Sequence, residues 1–150
     1  MNTLELFSFL KYESHCKKYF LGVYARNELP KSFNKLPSAL IFNTDNRNEP
    51  GEHWLAIFID EYRNVEFFDP AGMHPSFYGL ESYILSIGNS MNWNSKRIQS
   101  EFSEICGQIC IFYLYFKCRL YTLDYIQHNF SSDLINNEKI ILNFLDQIFI

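Results

Sequence analysis

With 150 residues, 47% of them hydrophobic and 18% aromatic, the chain reads as one globular domain, able to bury about two-thirds of the surface its unfolded form exposes. That composition excludes a disordered chain, and with only 6 Gly and 5 Pro no flexible linker divides it. A net charge of −4, with basic spots no larger than Lys17-Lys18 and Lys96-Arg97, excludes a basic nucleic-acid arm, and the longest apolar run, 109–116, is far short of a membrane span.

An amphipathic helix is expected over residues 3–14, with Leu4, Leu6, Phe7, Leu10 and Lys11 along its apolar stripe. Residues 19–24, YFLGVY, have the aromatic and β-branched content of a strand. Residues 27–37 read as a loop with two prolines, 38–43 (SALIFN) as a short buried strand, and 44–51 (TDNRNEPG) as a surface loop rich in turn formers. Two sharper runs follow. Residues 53–59, HWLAIFI, form a strand that begins at its histidine, and 65–69, VEFFD, a strand that ends at its aspartate. In an antiparallel pair the start of one strand lies beside the end of the next, which brings His53 to Asp69. Pro70 then stops the ladder, because proline has no N–H to donate. Residues 78–87 look helical and 96–99 form a short strand. A long apolar helix starts at Cys106, a helical turn covers 122–128, and an amphipathic helix over 133–149 has Asp133 at its cap. Its inward face carries Ile140, Ile141, Phe144, Leu145 and Ile148. Strands followed by helices, without a βαβ rhythm, give an α+β class: a small, mainly antiparallel sheet packed against the Cys106 helix.

The chemistry gathers at that helix. A thiol at a helix start feels the positive end of the dipole and the unpaired N–H groups of the first turn, which favours thiolate. Cys106 is therefore the candidate nucleophile, and Gly107 would let a substrate carbonyl approach the backbone. His53 is the candidate base and Asp69 the group that orients it. Gln99, with the Cys106 N–H, would form an oxyanion hole, and Trp54 would wall the cleft. Each residue also has a plainer reading. The Cys106 helix could be a buried helix and nothing more, with Ile105, Ile109, Phe112, Tyr113 and Phe116 at core spacing. His53 could be a surface histidine, Asp69-Pro70 a turn opener, Gln99 an exposed strand residue and Trp54 core. Cys110, one turn inside the helix, is the rival thiol and reads as inert core. A zinc site from Cys16, His53, Cys106 and Cys110 lacks any CxxC pair, so no metal is expected. Of the four cysteines, Cys106, Cys110 and Cys118 fall on one expected helix and are mostly too poorly placed to bridge one another. With no apolar signal-peptide core, a reducing intracellular compartment and no secretion are expected.

GEHWLAIF, VEFFDPAG and IQSEFSEICGQICIFYLYF, in that order, resemble the adenain family of adenovirus-type cysteine proteases, with relatives in Maverick/Polinton elements and virophages. The resemblance extends upstream to YFLGVYARNELP and ALIFNT and covers residues 19–115. It implies a Ulp1-type fold and a papain-like mechanism, with His53 as base, Asp69 as acidic third member, Gln99 in the oxyanion hole and Cys106 as nucleophile. It implies cleavage of capsid precursor proteins of a virus or virus-like element. Adenoviral members often carry Glu where this chain has Asp69, and they run longer after the cysteine. The alternatives are a Ulp1-type enzyme removing a ubiquitin-like modifier through the same four residues, and an inactive binding module of the same fold. Adenoviral relatives are stimulated by DNA and by a disulfide-linked peptide whose cysteine precedes the oxyanion glutamine. The segment 85–98, LSIGNSMNWNSKRI, has no cysteine. The chain is therefore expected either to act without cofactors or to be activated by a non-covalent partner, with weak nucleic-acid binding at most; a monomer acting on a protein substrate is expected.

Overall fold

A computed structural model describes residues 1–149. Five strands, β1 (Phe20–Tyr24), β2 (Ser38–Asn43), β3 (Trp54–Ile59), β4 (Asn64–Phe68) and β5 (Ser90–Trp93), form one sheet in sequence order. The two central pairings, β2 with β3 and β3 with β4, are antiparallel, and the outer two are parallel. Five helices accompany the sheet: α1 (Thr3–Tyr12), α2 (Glu81–Ile87), α3 (Cys106–Lys117), α4 (Leu123–Gln127) and α5 (Leu134–Ile148). The class is α+β, with two parallel connections: the segment from β1 to β2, and α2 carrying the chain from β4 to β5.

Burial on both faces explains why β2 and β3 read as continuous apolar runs rather than alternating ones. Ala39, Ile41, Ala56, Phe58 and Phe68 point to one side, into a core shared with α1, α3, α4 and α5. Leu40, Phe42, Leu55, Ile57, Ile59, Val65 and Phe67 point to the other, against Leu80, Ile84 and Ile87 around α2. The small Ala39 and Ala56 lie on the side that α3 covers, and on α3 every residue from Ile109 to Leu114 is buried. Each fully buried Leu, Ile or Phe contributes roughly 1.5–3 kcal/mol. The second core covers the side of the sheet away from the cysteine helix.

Local signals act as expected at the helix ends. Asn2 and Glu5 form a capping box on α1, and the Asp133 side chain accepts from the Asn136 N–H at 3.1 Å to start α5. The first of the α3 N–H groups meets no side-chain cap. Two sequence readings change. Leu4 is exposed and the buried stripe of α1 is Leu6 and Leu10, because the helix rests on the sheet through positions four apart. Residues 96–99 are not a strand: the fifth strand is Ser90–Trp93, a short edge strand in which exposed Ser90 and Asn92 alternate with half-buried Met91 and Trp93, unlike the continuous apolar runs of the inner ones. Instead, the N–H groups of Ile98 and Gln99 both donate to the Pro70 carbonyl, at 2.9 and 3.0 Å, tying this loop to the end of β4. Among the described residues no helix is long and apolar enough to cross a membrane.

Candidate active site

His53 stands one residue before β3 and Asp69 one residue after β4. The antiparallel register, Ala56 opposite Phe68, carries the two ends to the same rim. His53 Nε2 and Asp69 Oδ1 meet at 2.6 Å across 16 residues of sequence. The His53 main chain is anchored in turn, its carbonyl accepting from the Thr44 N–H at the end of β2.

Asp69 is fully buried, and its carboxylate is saturated. Oδ1 also accepts from the Ala71 N–H at 2.8 Å, and Oδ2 accepts from the Met73 N–H at 3.1 Å and the Tyr78 hydroxyl at 2.6 Å. Ala71 lies in the Asp69-Pro70-Ala71-Gly72 turn, closed by the Gly72 N–H on the Asp69 carbonyl at 2.8 Å, and Met73 follows directly after it. Gly72 has φ +74, and a Cβ there would lie 2.8 Å from the Arg97 nitrogen, so only glycine lets the 96–97 backbone close over the turn. Asn94, also fully buried, clamps the Asp69 backbone from both sides. Its Oδ1 accepts from the Asp69 N–H at 2.8 Å and its Nδ2 donates to the Asp69 carbonyl at 2.6 Å.

Cys106 opens α3 and is 7% exposed. With Nε2 on Asp69, Nδ1 is the His53 ring nitrogen left for the thiol, and the two side chains line the same cavity. The Trp54 N–H donates to Cys106 Sγ at 3.5 Å, and the Gly107 N–H also faces the sulfur. Burial works against charge on both groups and is outweighed on both. The Cys106 thiol falls below its ordinary value, held down by the His53 hydrogen bond, the Trp54 and Gly107 N–H groups and the imidazolium charge. His53 is pushed up to about 9 by its bonds to Asp69 and Cys106 and by their charges. Both shifts act in favour of the thiolate–imidazolium form of the pair.

A cavity of about 270 Å³ opens on the sulfur, lined by Asn43, Gly51, Glu52, His53, Trp54, Gln99, Ser103, Glu104 and Cys106. Gln99 thus shares a cavity with Cys106, from a loop rather than the expected strand. Its Nε2 donates to the Ser103 carbonyl at 2.8 Å, while its Oε1 is buried without a partner. An amide nitrogen has two hydrogens, so one bond to Ser103 leaves one for the cavity. Gly107 answers to a different demand from the one expected. It does not line this cavity, and a Cβ on it would come within 3.2 Å of the Trp54 ring and 3.3 Å of Leu6. Its smallness lets Trp54 pack over the helix start, where the indole N–H donates to the Met1 carbonyl at 3.2 Å. Trp54 meets both readings, core and wall. All four cysteines are free, and among the described residues no group of three or more His, Cys, Asp and Glu could hold a metal ion.

No family model matches the chain. Over 114 residues, 66% of this chain, it is 29% identical to the cysteine protease S273R of African swine fever virus, and it spans 39% of that protein's length. Among solved structures, ChlaDub1 from Chlamydia trachomatis superposes with a TM-score of 0.52 at 17% identity, over 74% of this chain and 58% of that one. The ASFV pS273R protease gives 0.41 at 24% identity, over 63% and 40%. The fold is that of the adenain/Ulp1-like cysteine proteases.

Sequence reasoning singled out His53, Asp69 and Cys106 from element ends, and Gln99 from a segment expected to be a strand that the structure shows as a loop. It did not disclose Tyr78 or Asn94. Both act on Asp69 from beyond the strand pair, nine and 25 residues away, and no periodicity or local spacing links either to it.

Proposed function

We propose that the chain is a cysteine endopeptidase working through Cys106, His53 and Asp69, with Gln99 in the oxyanion hole. The observation that carries this reading is the saturated, buried Asp69 bonded to His53 beside a cysteine whose thiol is held below its ordinary value. The Cys106 thiolate adds to the scissile carbonyl. Negative charge grows on the carbonyl oxygen, where the Cys106 N–H and the free hydrogen of Gln99 Nε2 stabilise it. His53 gives its Nδ1 proton to the departing amine, leaving a thioester on Cys106. Neutral His53 then takes a proton from water, the hydroxide equivalent displaces the thiolate, and the carboxylic acid product leaves with the ion pair restored. Asp69 holds the imidazole in orientation throughout and offsets its charge.

The substrate class is capsid precursor protein of a virus or virus-like element, in the reducing interior of a host cell, its virus factory or nucleus, or the virion. The likeness to a viral protease supports this, as does the motif order shared with the adenain family. The chain acts as a monomer without a disulfide-linked peptide or DNA, because residues 85–98 hold no cysteine and the net charge is −4. The test incubates the purified chain, reduced, with candidate capsid precursors, with and without DNA, and reads fragments by mass spectrometry. Cys106→Ala is the control. Discrete fragments lost in the control support the reading. Cleavage only of a ubiquitin-like protein's C-terminal fusion would replace it with deconjugation, and no hydrolysis of either would leave a binding module.

A further inference from the structure

Asp69 is fully buried, and its carboxylate is held by protein donors. A carboxylate offers about four lone-pair sites, and four donors reach this one. Two are the backbone N–H groups of Ala71 and Met73, and one is His53 itself. The fourth is the phenol of Tyr78, delivered by the 3₁₀ turn Pro75–Tyr78. The same ring lies 6.2 Å from the His53 imidazole, tilted by 28°, so one side chain grips the far oxygen of Asp69 and flanks the histidine. Phe77 meets the Tyr78 ring edge-on at 5.0 Å and Phe67 packs at 6.4 Å, which fixes the ring without the hydroxyl.

We propose that Tyr78 is a positioning residue that tunes the His53–Asp69 pair: its hydroxyl pins Asp69 Oδ2, so that Oδ1 meets His53 in one orientation and with part of its charge withdrawn. This rests on the catalytic reading of His53, Asp69 and Cys106. A charge-assisted bond of 2.6 Å draws electron density from the carboxylate. Burial, followed by the Asp69 contact, pushes the phenol well above its ordinary pKa, so it stays a donor wherever the protein works. Without it, Asp69 holds the His53 proton more tightly, and the imidazolium becomes a poorer acid toward a departing amine. The other ionisable or charged groups acting on this cluster are His53, Cys106 and Cys110 from the facing elements and Arg97 from the loop before α3. All of them remain in Tyr78→Phe.

The experiment has two arms. The first titrates His53 by NMR of its ring nitrogens in the unmutated chain, in Tyr78→Phe and in a chain carrying 3,5-difluorotyrosine at position 78, a stronger donor. The pKa of His53 rises by about half a unit or more in Tyr78→Phe and falls in the fluorinated chain, the changes expected when one charged hydrogen bond is lost or strengthened. The second compares kcat/KM, which reports acylation, on an amide and on an activated ester with the same acyl group. Tyr78→Phe lowers the amide value several-fold and leaves the ester value nearly unchanged, because only the amide needs a proton on its leaving group. It also moves the basic limb of the amide profile upward. An unmoved His53 pKa in both variants, or equal losses on amide and ester, would overturn the proposal. An active Cys106→Ala chain would overturn the catalytic reading instead, and the NMR arm would still decide the role of Tyr78.

Discussion

The first and second turns of α3 each carry a cysteine, and the two thiols, four residues apart, are driven in opposite directions. Cys106 sits where the helix N–H groups are uncapped, against His53 and the Trp54 N–H, and its pKa is lowered. Cys110 is fully buried, its thiol donating to the Trp54 carbonyl at 3.4 Å, and burial followed by the charges of Cys106 and Asp69 pushes it well above its ordinary value. Trp54 gives its N–H to one sulfur and its carbonyl to the other. What separates the two thiols is which charges and dipoles a single turn of helix brings within reach.

The largest test of that contrast is Cys106→Ala, expected to lower turnover on a peptide substrate by a factor on the order of 10⁴ or more with an unchanged circular dichroism spectrum. Full activity in this variant would transfer the chemistry to another thiol. Next come the residues that make the first turn special. His53→Ala removes both proton acceptor and counter-ion and should cost on the order of 10³ in kcat. Asp69→Asn still accepts from His53 but drops the supporting charge, and the expected loss is smaller, on the order of 10². If Asp69→Asn cost more than His53→Ala, Asp69 would be doing more than orienting the imidazole. Gln99→Ala should lower kcat by roughly 10², about 2.7 kcal/mol, with KM little changed, since its bond strengthens as the oxyanion forms. A change confined to KM would make Gln99 a substrate-binding residue.

The ion pair also has a pH signature. Because His53 is raised from 6.5 to about 9, turnover should keep its imidazolium until pH nears 9 and then fall. A raised folded-state pKa means that the folded chain binds this proton more tightly than the unfolded one. The stabilisation from His53 is therefore complete below about pH 6.5 and is lost as pH rises through about 9. Melting temperatures across that window should fall with rising pH, and His53→Ala should flatten part of the slope. A basic limb near 6.5 would mean that His53 is neutral beside Cys106. The smallest effect belongs to the second turn. Cys110→Ser should leave kcat nearly intact and cost about 1–2 kcal/mol of stability, as a hydroxyl replaces a thiol in an apolar site. Alkylation of the folded chain should label Cys106 long before Cys110.

His53, Asp69 and Cys106 were legible because each stands at the end of an element, and strand ends and helix starts are what local sequence marks: HWLAIFI begins at its histidine, VEFFD ends at its aspartate, and the long apolar helix begins at its cysteine. Period-two pairing across a short hairpin was enough to join the first two, because antiparallel register follows from loop length. The α+β class and the boundaries of β2 were readable for the same local reason. Tertiary structure alone decided the rest. It assigned the fifth strand to Ser90–Trp93, whose alternation is too polar to stand out, and left 96–99 as a loop held by the Pro70 carbonyl. It turned Gly107 from a cleft residue into a packing residue under Trp54. It also filled the Asp69 carboxylate with donors from Tyr78 and two backbone N–H groups, and fixed its backbone with Asn94. A buried carboxylate must be fully satisfied, but sequence names neither the donors nor their distances, because they arrive from separate elements that meet only when both faces of the sheet are covered.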